Sequence, residues 1–247
     1  MSISVTILAC NAEEYIERVL SPLVLFDEVV VCDTGSTDST VAIAEQFQNV
    51  KICHSPFVGF GKLHNTVACQ ASHDWILSLD SDEVMTSALI EEILSLSLDK
   101  ESVYSFPFHN YFNGRWIRCC GWYPDRHIRL YHRGRTQFTE NYVHEGIIAR
   151  GLEEVRLLNP VRHYSYSSIS DFLRKMQLYT DLFAEEYQGR KNSSLFKAIT
   201  HGAFAFVKNY FFKMGCFYGY EGYLISAYQS QTAFYKYLKL MEANGKK

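Results

Sequence analysis

Val29-Val30-Val31-Cys32-Asp33-Thr34-Gly35-Ser36 is the stretch that decides the fold. Four apolar residues in a row, three of them β-branched and with no polar alternation, read as a strand covered on both faces, the pattern of a parallel sheet packed between helices. The polar Asp-Thr-Gly-Ser that follows is a turn, and Val41, Ala44 and Phe47 beyond it recur at helical spacing. On the N-terminal side, Ser4-Val5-Thr6-Ile7-Leu8 reads as a first strand. Asn11 then opens a helix with Ile16, Val19 and Leu20 on one face, and Glu14 three residues on completes a capping box. On the C-terminal side, Val50-Lys51-Ile52-Cys53 is a third strand and Gly59-Phe60-Gly61 a loop. A helix runs from there through Val67 and Ala71, and Trp75-Ile76-Leu77-Ser78-Leu79 is a fourth strand. Strands alternating with helices predict an α/β fold built on a mainly parallel sheet.

Composition narrows the class. With 247 residues, 47% of them hydrophobic, and a net charge of -3, the chain is globular, one domain or one domain with an appendage. So small a net charge lacks the basic footprint of a nucleic-acid binder. The seven cysteines are odd in number, form no CxxC pair and in part sit in apolar runs, so a reducing, cytosolic setting is expected. The N-terminus has no basic region before its first strand and reads as no signal peptide; no uncharged apolar run reaches the roughly 18 residues that cross a bilayer. The average hides an asymmetry, however: Leu195 to Lys247 carries +5 and 14 of the 34 Phe and Tyr residues, leaving -8 on residues 1–194.

The fourth strand runs into Asp80-Ser81-Asp82-Glu83. Ligands of open α/β sheets bind at the carboxyl ends of the strands, so Asp33 and Asp80 are expected to face one crevice. Asp80 and Asp82, two apart on a turn, suit a shared hard cation, Mg²⁺ or Mn²⁺, with positions left for substrate phosphates. Taken alone, the same acids also suit the cap of a helix beginning near Thr86-Ser87.

Four segments, each at a strand end, occur in order: Thr6 to Glu14, Val31 to Thr40, Gly61-Lys62-Leu63-His64-Asn65, and Leu79 to Glu83. Together they resemble the family 2 glycosyltransferases of GT-A fold, with Asp33-Thr34-Gly35-Ser36-Thr37-Asp38 the more specific part. The resemblance implies a Rossmann-like mixed sheet flanked by helices and a UDP-sugar donor. It implies that Asp33 accepts from the uracil ring, that Asp80 lies by the ribose or sugar, and that Asp82 reaches the metal on the pyrophosphate. It also puts Ala9, Asn11 and Glu13 of the first segment, and Lys62 and Asn65 of the third, on the nucleotide side. Outside the resemblance, Lys62 and Asn65 read as a solvated charge and a helix cap.

In the second half, Tyr111 to His132, Tyr142-Val143-His144-Glu145, Arg162-His163-Tyr164-Ser165-Tyr166 and Gly219-Tyr220-Glu221-Gly222-Tyr223 are similar to the subgroup containing lipopolysaccharide-core β-1,4-glucosyltransferases. Ala12, where relatives carry an acid, and Cys119-Cys120 depart from it. The resemblance implies Glu145 as catalytic base and His163 as a residue completing the metal site. Attack by a sugar hydroxyl needs one such base, and a single base implies inversion at the anomeric carbon, whereas a hydrolase wants two flanking carboxylates. Arg126, Arg129 and Arg133 are candidates to add positive charge near a diphosphate, with a solvated-loop role expected for at least one. Trp122, with Trp116 and Tyr123, suits a sugar-stacking platform beside Gly121, whose missing side chain admits the donor; they suit core aromatics equally well.

The expected organisation is a GT-A domain over residues 1–169, nucleotide-sugar part about 1–100 and acceptor part about 101–169, then a helical, basic and aromatic extension over 170–247. Phe172, Met176, Tyr179 and Phe183 mark one face of its first helix. Aromatics interleaved with Lys197, Lys208 and Lys213 read either as an interfacial helix or as packing onto the sheet domain. The function expected is an inverting, metal-dependent transfer of a hexose, glucose first, from a UDP-sugar to a lipid-linked saccharide such as lipopolysaccharide inner core, at the cytoplasmic membrane face. Other acceptors (polyprenyl phosphate, capsule, protein), a nucleotidyltransferase and a non-catalytic nucleotide- or lipid-binding module are the alternatives.

Overall fold

The structure is a computed structural model and describes residues 2–140 and 145–245. Its strands are β1 (Ile3–Ala9), β2 (Glu28–Asp33), β3 (Val50–His54), β4 (Trp75–Asp80), β5 (Glu83–Met85), β6 (Ser102–Phe112), β7 (Arg115–Trp116), β8 (Arg126–His132), β9 (Glu153–Arg156) and β10 (Val161–Tyr166). Its helices are α1 (Ile16–Leu20), α2 (Thr40–Ala44), α3 (Phe60–Gln70), α4 (Ser87–Leu94), α5 (Ile169–Tyr187), α6 (Leu195–Val207) and α7 (Gly219–Gly245). The chain forms two compact units, residues 1–109 with 125–164 and residues 110–124 with 165–247. The 110–124 segment, counted with the sheet domain from sequence, thus groups with the C-terminal helices.

In the first unit the strand order is β3-β2-β1-β4-β8-β6-β10-β5, with β9 beside β6. The first four are parallel, and β8 and β5 are paired antiparallel to β4 and β10, which makes the sheet mixed. All residues of β1 and β2 are buried, as the unbroken apolar run requires. Strand alternation sends Val5, Ile7, Val29, Val31 and Leu77 into one core and Leu8, Val30, Cys32 and Ile76 into the other, one on each face. Each large side chain so buried contributes roughly 1.5–3 kcal/mol. Because β2 and β3 lie on one side of β1 and β4 on the other, the strand order reverses between β1 and β4, where a ligand crevice forms.

Glu28 enters at the opposite, N-terminal end of β2 and is buried. It accepts from Ser4 Oγ at 2.5 Å, Ser72 N at 2.7 Å and Ser72 Oγ at 2.8 Å, and pairs with Lys51 Nζ. Burial works against its charge, but the Lys51 and serine donors outweigh this and lower its pKa to about 2.

Four local details differ from what the sequence predicts. Helix α1 begins at Ile16 with Tyr15 as N-cap and no side-chain cap. Asn11 instead takes a left-handed φ of 50° and turns its Oδ1 to Thr37 N, at 2.8 Å. Helix α4 is capped by Thr86, whose Oγ1 accepts from Leu89 N at 3.2 Å, so Asp80-Ser81-Asp82-Glu83 is not its cap. The helix predicted through Phe47 ends at Ala44, and the one predicted through Ala71 ends at Gln70.

In the second unit α5 starts from a Ser168–Asp171 capping box and buries Phe172, Thr180 and Ala184; Tyr179 of the predicted face is exposed. Helix α6 meets α7 through small residues: a Cβ on Gly202 would stand 3.1 Å from Phe234 Cβ and 3.3 Å from Ser230 O. Phe112, Ile117, Cys119, Cys120, Phe172 and Ile225 form this unit's own core.

Candidate active site

Parallel register lines up the acids. Ala9 stands opposite Asp33, Leu8 opposite Asp80, and Asp33 opposite His54, so the ends of β1, β2, β3 and β4 form one rim. Asp33 closes the turn after β2: its carboxylate accepts from Gly35 N at 3.2 Å and from Ser36 N at 3.1 Å, with His54 Nδ1 at 3.4 Å. Burial opposes its ionisation, yet these donors hold its pKa below the ordinary value. Gly35 takes a φ of 114°, which glycine adopts without strain.

Beside it the loops after β1 and β2 are stitched together. Asn11 N donates to Ser36 Oγ at 2.9 Å, Ala12 N to Thr40 Oγ1 at 2.7 Å, and Ser39 N to Glu13 Oε2 at 3.0 Å. Thr34 N donates to Ala9 O at 2.9 Å. Ala9, Asn11 and Glu13 therefore build the wall next to Asp33 by holding the Asp-Thr-Gly-Ser turn in place.

The second group comes from strands far apart in sequence. Arg129 on β8 reaches Asp80 Oδ2 at 2.9 Å and Glu83 Oε1 at 2.5 Å, and Glu83 Oε2 accepts from Asp80 N at 3.1 Å. Burial and the neighbouring Asp80 and Asp82 push Glu83 up to about 8 against the pull of Arg129. Asp80 goes the other way: despite burial, Arg129 and His64 hold its carboxyl well below the usual carboxylate range. Arg129 is kept charged by Glu83 and Asp80, with Glu145 adding to the same field, although its burial disfavours a cation. Tyr142, Val143 and His144, which precede Glu145 in its motif, lie outside the described residues.

Antiparallel pairing of β5 with β10 sets His163 opposite Glu83, and Tyr164 N donates to Asp82 O at 2.9 Å. His163 Nε2 consequently lies 3.4 Å from Asp82 Oδ1. Burial lowers the imidazole pKa, but Asp82, Glu83 and Asp80 outweigh it and raise the value. One ligand atom each from Asp82, Glu83 and His163 falls within 4.8 Å of the others. Two carboxylates and one imidazole fit a first-row divalent cation such as Mn²⁺.

Asn65 acts elsewhere than on the rim, and its neighbour His64 reaches the rim through Asp80, with Nε2 3.8 Å from Oδ1. Asn65 Nδ2 donates to Phe138 O at 3.0 Å and Phe138 N donates to Asn65 Oδ1 at 2.9 Å, so both ends of the amide hold one backbone unit. His64 stacks on the Phe138 ring with centroids 4.3 Å apart. Phe138 bridges Ile147, and Thr139 N donates to Gly146 O at 2.9 Å, immediately beside Glu145. Helix α3 thus holds Phe138, whose bridge to Ile147 lies two residues from Glu145. His64 Nδ1 also meets Ser78 Oγ at 3.0 Å, and burial lowers its pKa to about 4, keeping it neutral. Lys62 is exposed on the same helix.

Other expectations resolve differently. Arg126 donates to Ser105 O and Leu157 O, and Arg133 to Ala68 O and Ala71 O, so both tie backbone together and Arg129 alone of the three faces the acids. Gly121 and Trp122 belong to the second unit. A Cβ at Gly121 would collide with Lys213, so the space kept open by this glycine is filled by that lysine. Trp122 stacks on Tyr166 with centroids 5.5 Å apart and has Phe172 at 6.3 Å, half-buried against this unit's core. Glu83 and His64 went unassigned from sequence; adjacency to the Asp-Ser-Asp run was the only signal for the first, and the Ser78 and Phe138 partners of the second are visible only in three dimensions.

The sequence profile of glycosyl transferase family 2 matches residues 4–155, the stretch that carries every strand-end acid above. The chain belongs to this family. It is a glycosyltransferase. An uncharacterized glycosyltransferase of Rickettsia typhi is 27% identical over 255 residues, covering 97% of this chain and 87% of its own. The lipopolysaccharide core biosynthesis glycosyltransferase LpsC of Rhizobium meliloti is 23% identical over 222 residues, 85% of this chain and 81% of its own. Among solved structures, the mannosyltransferase PcManGT of Pyrobaculum calidifontis, in complex with GDP-Man and Mn²⁺, superimposes with a TM-score of 0.51 at 13% identity, over 99% of this chain and 75% of that one. This likeness places the family's GT-A fold on the present chain.

Proposed function

We propose that the protein is an inverting, divalent-metal-dependent glycosyltransferase. It moves a hexose, glucose in the first instance, from a UDP-sugar to a lipid-linked saccharide such as lipopolysaccharide inner core, at the cytoplasmic face of a membrane. The observation that supports this reading is that Asp33 and the Asp80–Arg129–Glu83 cluster stand at the carboxyl ends of the central strands, with the Asp82–His163 pair next to the cluster and Glu145 contributing to the field at Arg129. Family membership makes the reaction a sugar transfer and sets aside a nucleotidyltransferase. The name of the LpsC relative supports the choice of acceptor.

Each residue then has a task. Asp33, held ionised by the Ser36 and Gly35 amides, accepts from the uracil N–H. Asp80, oriented by Arg129, receives the ribose and sugar hydroxyls. Glu145 takes the proton of the attacking acceptor hydroxyl, and a single carboxylate base of this kind turns an α-linked donor into a β product. Asp82 and His163, with Glu83 behind them, would hold Mg²⁺ or Mn²⁺, which supplies Lewis-acid charge at the departing diphosphate.

The test is UDP release from UDP-glucose and UDP-galactose, with GDP-mannose as control donor, in Mg²⁺ or Mn²⁺, with and without purified lipid acceptor. Asp82→Ala is expected to lose metal-dependent UDP binding. Glu145→Gln is expected to keep UDP binding while turnover falls by about 10²–10⁴-fold. Wild-type turnover in the Gln variant would assign the base to another residue, and no UDP-sugar binding in either metal would sink the reading.

A further inference from the structure

Helix α6 is built inside out. The residues it buries are Ala198 and Gly202, and its tight approach to α7 at Gly202 leaves no room for anything larger on that face. On the opposite face Phe196, Ile199, Ala203, Phe204, Val207 and Phe211 recur at three- and four-residue intervals as an exposed stripe. Phe196 is 77% exposed, and Phe212 and Phe217 just beyond the helix are 79% and 75% exposed. An amphipathic helix that served its own core would carry these aromatics inward. A continuous apolar stripe of this kind on a folded protein marks a surface with a partner.

Charge selects the partner. The 26 residues from Leu195 to Tyr220 contain three Lys and no Asp or Glu; Lys208 is exposed beside the stripe, while Lys197 lies over the Tyr237 ring and Lys213 packs at Gly121. Against a second copy of the chain across a two-fold axis, the same face would meet itself and bring lysine toward lysine. Against an anionic bilayer, aromatic rings enter the headgroup boundary while lysine stays at the phosphates. No helix among the described residues is long and apolar enough to cross a membrane, so the contact is one of lying on the surface.

We infer that the exposed face of residues 195–217 is a docking surface for anionic phospholipid bilayers. This deepens the proposed function, and rests on its membrane-borne acceptor for the purpose the docking serves. The physical claim can fail separately.

The test uses the full chain with vesicles of phosphatidylglycerol and phosphatidylethanolamine, and of phosphatidylcholine alone. Wild-type protein is expected to sediment with the anionic vesicles and not with phosphatidylcholine, and to release as salt rises from about 0.1 to 0.5 M. The triple variant Phe196→Ser, Phe211→Ser, Phe212→Ser is expected to lose partitioning by about tenfold or more. Lys208→Glu, which leaves the rings in place and guards against misfolding of the triple variant, is expected to weaken binding and flatten its salt dependence. UDP release from UDP-glucose in solution, with water as acceptor, is expected to be unchanged in both. Equal sedimentation of wild type and both variants would overturn the inference. So would a wild-type dimer in analytical ultracentrifugation that becomes monomeric in the triple variant without any vesicle binding. Failure of UDP release in the wild type would count against the proposed function and leave the docking result standing.

Discussion

Two buried glutamates sit at opposite ends of the same sheet and titrate in opposite directions. Glu28, at the N-terminal end of β2, is surrounded by donors and lowered to about 2; Glu83, past the C-terminal end of β4, is crowded by Asp80 and Asp82 and pushed up to about 8. The difference teaches where this fold keeps stability and where it keeps chemistry. At one end every lone pair has a hydrogen bond and the charge is matched. At the other, Asp80, Asp82 and Glu83 are gathered around Arg129, with His163 beside Asp82 and His64 beside Asp80, and the carboxyls compete for the same cation.

The contrast can be broken at its strongest point first. Arg129→Met leaves Asp80 and Glu83 without their cation, and the expected loss is about 3–5 kcal/mol by chemical denaturation. Adding Glu83→Gln to that variant is expected to restore part of the loss, because the two residues share one network. Next, Glu28→Gln is expected to cost about 3 kcal/mol at neutral pH, the shift from 4.5 to about 2 expressed as free energy. A depressed carboxylate stabilises the fold above its unfolded pKa, so this contribution is present above about pH 4.5 and fades as pH falls toward 2. Thermal melts of wild type and variant should therefore converge in acid. Smallest of all is Glu83→Gln alone, which keeps the shape and, with the carboxyl already pushed up to about 8, removes little charge at neutral pH; its stability is expected to stay within about 1 kcal/mol of wild type or to rise. A loss as large as that of Glu28→Gln would mean that both ends are built alike.

Much of this was legible in sequence because it was local. The unbroken Val29 to Cys32 run could only be a doubly covered strand, and an acid directly after such a strand has to stand at its carboxyl edge. Asp33, Asp80 and Asp82 were placed on that logic. What local pattern could not show was the outcome of competition between polar partners. Asn11 looked like a helix cap, and the Thr37 amide claimed it instead. Asn65 looked free for a nucleotide, and the Phe138 backbone occupies both ends of its amide. Trp122, with Trp116 and Tyr123, read equally well as a sugar platform and as core aromatics, and its packing beside Tyr166 and Phe172 is visible only in three dimensions. The α6 aromatics were ambiguous for the same reason: periodicity reveals a face but not what lies against it.

The pairing of β8 with β4 and of β10 with β5 also fixes when this site comes into being. Arg129 meets Asp80 across 49 residues of chain, and His163 meets Asp82 across a still longer span, so neither pair profits from local folding and each awaits the closure of a large loop. A ribosome that has released the first four strands has made the rim that holds Asp33 and nothing that can hold a cation through His163. The acids Asp80, Asp82 and Glu83 come early in the chain, and the arginine and histidine that meet them come last.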